Sequence, residues 1–113
     1  MAISVTVHGF HVRTGEQSNG RFATADITTT DGTDHVVYTV PGGDISYAIL
    51  SVAICNRALV AADNVNIAVA SNNTPLDSEW IEWRTVLVPR GVLERTQIMA
   101  AVGDKIIVRV GPV

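Results

Sequence analysis

Apolar residues fall at every second position through most of this chain, and no other feature restricts its fold as strongly. Side chains on a strand point alternately to the two faces of a sheet, so a two-residue period gives each strand one apolar face. In "AISVTVHGF", Ile3, Val5 and Val7 face one way, with Ser4, Thr6 and His8 opposite. "NVNIAVA" alternates through Val65, Ile67 and Val69, and helical spacing is hard to find anywhere. Turn signals recur about every 8–12 residues, the rhythm of a sandwich or small barrel. The pattern predicts an all-β fold: a single-domain antiparallel β-sandwich, jelly-roll-like, of about eight short strands. At 113 residues the chain can bury one core, and it reads as one domain, 1–113.

Glycine, proline and aspartate place the breaks. "HVRTGEQSNGR" is polar and glycine-bearing, and reads as a loop from Arg13 to Gly20. "RFATADITTT" and "DHVVYTV" flank Asp31-Gly32, whose glycine accepts the positive φ that a tight hairpin needs. Pro41 to Asp44 is a turn. "ISYAILSVAICN" is largely apolar on both faces. It is expected to be a central strand, covered by the opposite sheet on one side and by something else on the other. "RALVAAD" has room for a single helical turn, and "SNNTPLDS" is a loop. In the strand "EWIEWRTVLV", alternation puts Trp80, Glu82 and Arg84 on one face and Ile81, Trp83 and Thr85 on the other. Pro89 and Gly91 reverse the chain into "VLERTQIMA", and Gly103-Asp104 serves a hairpin into "KIIVRV". Glu94 is placed to pair with Arg57 or Arg84 across strands, a contact that sets register more than stability.

Charge narrows the partners. Only 17% of residues are charged, below the usual ~25%, which leaves a surface of Thr, Ser, Asn and Ala that costs little to desolvate. The net charge is −3, and all basic residues except Lys105 are arginines. The arginine fork suits buried contacts better than strongly hydrated lysine. No basic stripe is present to neutralise phosphates, so nucleic acid is not an expected partner. Cys55 is alone, which excludes an internal disulfide and a cysteine-based zinc site, and it reads as a small buried hydrophobe. "MAISVTVHGF" alternates where an ordinary signal peptide would be solidly apolar, and no stretch approaches a membrane span. A soluble protein made in a cytosol, with no membrane partner, is expected.

The groups that carry chemistry are sparse. His8 and His11 form an H-x-x-H, but positions three apart on a strand face opposite ways, so shared metal ligation needs a bend at Gly9 and a third ligand such as His35. Asp26, Asp31 and Asp34 flank a turn without the close, glycine-bent spacing of a calcium loop. Glu79 with Glu82, or Asp77 with Glu79, would serve as a glycosidase pair only in a cleft that holds two carboxyls about 5–5.5 Å apart. No nucleophile–base pair or phosphate-cradling loop is visible, so no catalytic residue, metal or cofactor is assigned and the chain reads as a non-enzyme. Trp80 and Trp83 are the two tryptophans; one is expected to anchor the core and the other to face solvent or a neighbour, and which does which is open.

Three segments together resemble small β-sandwich structural proteins of tailed bacteriophages, including cyanophages: "SVAICNRALVAADNVNIAVA", "PLDSEWIEWRTVLVPRGVLERT" and "AVGDKIIVRV". The likeness runs from about Tyr47 to Val110 and leaves the N-terminal third unmatched. It implies a component of the virion, made in the cytoplasm of an infected bacterial cell. The leading form is a capsid decoration or cement protein, a homo-oligomer touching copies of itself and the major capsid protein; a tail or fibre part is the alternative. Because arginine and tryptophan dominate interface hot spots, Arg57, Trp83, Arg84, Arg90 and Arg95 are the expected protein contacts. The Arg13–Gly20 loop and the edge "AISVTV" are the expected places for strand addition by a neighbour. A host carbohydrate-binding module is a further alternative, which requires Trp80, Tyr38 and Tyr47 to cluster on one exposed face.

Overall fold

Each alternating segment of the sequence becomes a strand. The computed structural model describes residues 3–13, 16–27, 32–43 and 45–111. These residues form β1 (Ile3–Arg13), β2 (Glu16–Ile27), β3 (His35–Thr39), β4 (Ile45–Asn56), β5 (Ala62–Ala70), β6 (Trp80–Leu87), β7 (Val92–Ala101) and β8 (Lys105–Val110). They make two four-stranded antiparallel sheets packed as a sandwich, one in the order β2-β1-β4-β7 (sheet A) and the other β3-β8-β5-β6 (sheet B).

The pairs β3·β8, β4·β7 and β5·β6 are nested, as in one long hairpin that folds back on itself between β5 and β6. Rolling that hairpin so that its middle pair lies opposite the other two gives a jelly-roll-like order. It leaves one side of β4 unpaired, and β1 fills it in register from Ile3↔Asn56 to Arg13↔Ile45. β2 then pairs along the outside of β1.

Several local expectations change as a result. Strand pairing runs through most of Arg13–Gly20, because β1 extends to Arg13 and β2 begins at Glu16; a polar sequence is no obstacle to an outer strand whose edge meets water. "AISVTV" is not an edge but an interior strand, hydrogen-bonded on both sides. Asp31 lies outside the described residues, and the segment around Gly32 is a crossover, since β2 and β3 belong to different sheets. Gly103-Asp104 does turn the chain, with the Asp104 amide donating to Ala101 O at 3.0 Å, but it too crosses between sheets. Residues 57–61 form no helical turn. The Asn56 side chain organises them by accepting from the Ala58 amide at 3.0 Å and donating to Val60 O at 2.8 Å.

The core lies between the sheets. Ile3, Val5 and Val7 of β1, with Leu50, Val52 and Ile54 of β4, face Val65 and Ile67 of β5 and Ile106 and Val108 of β8. The two open sides of the sandwich are closed differently. Between β2 and β3, the His11 ring stacks on Phe22 with centroids 4.0 Å apart, and its Nε2 lies 2.5 Å from the Tyr38 hydroxyl. Between β7 and β6, Arg95 reaches across to donate to Glu82 at 2.7 Å and to Ile81 O at 3.1 Å. Thr85 donates to the second Glu82 oxygen at 2.6 Å.

Candidate functional site

The outer faces of the two sheets differ, and the difference begins in their side chains. On sheet A, register sets out cross-strand rows: Asp26–Ser4–Cys55–Val92, then Thr24–Thr6–Ala53–Glu94, and farther along Phe10–Ile49–Met99 and Val12–Tyr47–Ala101. These residues alternate with the buried ones and belong to neither core cluster. No other described element packs over them, and Met99 is 67% exposed. β4 is therefore the expected central strand, but none of the other described elements covers its second face. Cys55 sits on that face half-buried, a correction to its reading as a core residue. His8 and Glu94 approach within 3.7 Å there, so Glu94 meets His8 in place of Arg57 or Arg84.

Sheet B covers part of its own outer face. Ala68, Ala70 and Ile107 form a small second cluster beneath the Trp80 ring, where short side chains leave room for the indole. Arg109 lies over the same ring at 4.5 Å and is tied to Asp34 at 2.7 Å.

Trp80 and Trp83 do not lie on opposite faces, as strict alternation required. Their ring centroids are 5.2 Å apart at an interplanar angle of 60°. Irregular pairing with β5 explains this: Trp80 pairs with Ala68, Glu82 with Ile67 and Thr85 with Val65, so β6 carries extra residues at two points and its side-chain parity slips. Asn66, fully buried, holds the second irregularity. Its Oδ1 accepts from the Arg84 amide at 2.7 Å, while its Nδ2 donates to Asn64 O at 2.6 Å and Arg109 O at 3.1 Å. Arg84 takes the left-handed φ of 55° there. Asn66 has no distinguishing signal in the sequence, because an asparagine within an alternating strand looks like any other polar residue.

The five expected contact residues do not form one patch. Trp83, 48% exposed, and Arg84 stand on the outer face of sheet B. Arg57 lies just beyond β4 and pairs with Asp26 at 2.9 Å. Arg90 is exposed in the β6–β7 turn, which meets the same end of the sandwich through the Asn56 amide bond to Gly91 O. Arg95, half-buried, pairs with Glu82 of the same chain, whose carboxyl the Thr85 hydroxyl and the arginine hold below the ordinary glutamate range against the opposing effect of burial.

The other candidates separate likewise. His8 faces outward on sheet A, His11 faces Tyr38 between the sheets, and His35 lies on β3. Among the described residues, no group of three His, Cys, Asp or Glu is placed to hold a metal. Glu79 bonds the Leu76 and Ser71 amides and Glu82 bonds Arg95, so neither acid is free. Tyr38, Tyr47 and Trp80 fall in three different places and form no common platform.

No family model, curated protein or solved structure matches this chain.

Proposed function

We propose that this protein is a non-enzymatic structural component of a bacteriophage virion, a capsid decoration protein that strengthens the shell through repeated protein–protein contacts. The outer face of sheet A, over which no other described element packs, carries this reading. Its central strands present Phe10, Val12, Tyr47, Ile49, Ala53 and Cys55, with charge confined mainly to the rim. Four strands about 4.8 Å apart and some 35 Å long span roughly 700 Å² in projection, close to the ~800 Å² that each partner gives to a standard interface. Contacts repeated over a shell add through avidity, so none needs to be strong alone.

A second copy or a capsid subunit seated on this face would bury the Phe10–Ile49–Met99 row. The test is light scattering of the purified protein, followed by co-sedimentation with emptied capsids and, separately, with isolated tails. The expected result is a homo-oligomer that pellets with capsids, and loss of both properties in Met99→Glu with unchanged far-ultraviolet circular dichroism. Binding to tails alone would move the protein to the tail. A monomer that pellets with neither overturns the reading.

A further inference from the structure

We infer that the notch between Trp80 and Trp83 is a binding site for a neutral saccharide, with Asp77 as its hydrogen-bond acceptor. The site lies on the outer face of sheet B, opposite the face assigned to protein contacts, and the inference does not depend on that assignment.

Asp77, Trp80 and Trp83 line a cavity of about 390 Å³. That volume is within the range of small-molecule sites and accommodates one or two sugar rings. The notch is built before any ligand arrives. Trp80 is seated on Ala68, Ala70 and Ile107 and held from above by Arg109, which Asp34 fixes in turn. Trp83 is placed by the β6 irregularity that Asn66 secures. The short turn Asp77–Glu79 is anchored by Glu79, which accepts from the Leu76 amide at 2.7 Å and the Ser71 amide at 3.3 Å. Rigidity of this kind removes ordering cost from binding. Trp83 is 48% exposed beside the half-buried Trp80, so an indole surface stays open to a ligand.

The chemistry of the walls selects the ligand. The face of an indole is negative and attracts the slightly positive C–H groups on the apolar face of a pyranose. A carboxylate accepts hydrogen bonds only, which matches sugar hydroxyl donors. Asp77 has no ion-pair partner among the described residues and is exposed at the mouth. A cationic ligand is less well served, because guanidinium groups already stand beside both rings, Arg109 at 4.5 Å from Trp80 and Arg84 at 5.9 Å from Trp83.

These are the chain's only tryptophans, so its entire indole emission reports on the site. Cellotetraose, maltotetraose, chitotriose and choline chloride are titrated into the intact protein while tryptophan fluorescence is read. At least one oligosaccharide is expected to give a saturable change with a dissociation constant of about 1 mM or lower. Asp77→Asn should weaken it about tenfold, the loss of a charged acceptor. Trp83→Phe should retain binding, and Trp83→Ala should abolish it without changing the far-ultraviolet spectrum. A response to choline alone, lost in Trp83→Ala, would reassign the notch to cations and overturn the inference. So would the absence of a saturable response to all three oligosaccharides.

Discussion

Replacing Asn56 with alanine should destabilise the fold far more than its place at a strand end implies. The side chain is fully buried at the end of β4. Its Nδ2 donates to Val60 O at 2.8 Å, Leu87 O at 3.1 Å and Val88 O at 3.3 Å, and its Oδ1 accepts from the Ala58 amide at 3.0 Å. It thus ties the β4–β5 connection to the end of β6 and the turn that follows. Two amide hydrogens serve three carbonyls, so the fan amounts to two full bonds, and Oδ1 supplies a third. At about 1 kcal/mol net each, the loss is about 3 kcal/mol, and the Leu87 carbonyl is the one left without a partner in a buried place. Unfolding entropy of roughly 2.1 cal/mol/K per residue converts that into a fall in Tm of about 12 °C for 113 residues. Thermal and urea unfolding followed by circular dichroism measure both quantities. Asn56→Asp provides the control, since at neutral pH it points a carboxylate at three carbonyls and should be worse than alanine. That environment raises the folded-state pKa of the introduced carboxyl above its unfolded value near ~3.9. Relative to wild type, the variant is therefore least impaired below that value and loses stability as pH rises through the folded pKa. A loss below about 1 kcal/mol for Asn56→Ala, or an aspartate no worse than alanine at pH 7, would refute the account.

Three further outcomes are expected. Because the Glu82 carboxyl is held below its ordinary range, its contribution is present above the unfolded pKa near ~4.3 and disappears as pH falls through the lower folded value; Glu82→Gln should flatten the acid side of a urea-midpoint-versus-pH curve, and an unchanged slope contradicts this. Gly9→Ala should cost upwards of about 3 kcal/mol in urea melts, since φ is +143° and the new Cβ would lie 2.1 Å from Ile49 O; a cost under about 1 kcal/mol would show that β1 can shift away from β4. Arg90 holds a left-handed φ of 59°, so Arg90→Gly should raise stability by up to about 1 kcal/mol. A variant no more stable than wild type in urea melts contradicts this.

How far the sequence reaches depends on the range of the interaction involved. Alternation through Ile3, Val5 and Val7, or Val65 and Ile67, is a local consequence of strand geometry, so the all-β class and most strand positions could be read directly. Pro89–Gly91 and Gly103-Asp104 were legible as reversals for the same reason, because a turn is made by the residues within it. What each reversal joins was not, since hairpin and crossover use similar turn residues and differ only in which distant strand takes the next set of hydrogen bonds. The meeting of Trp80 and Trp83 belongs to the same class. Strict alternation separates them, and only the irregular pairing of β6 against β5, secured by Asn66 through a bond 18 residues away in the chain, brings them together. The local pattern thus determined that this chain forms sheets. The tertiary structure decided which face stayed bare and where the indoles met, because long-range hydrogen bonds set strand order and parity, and a one-residue slip moves a side chain to the opposite face.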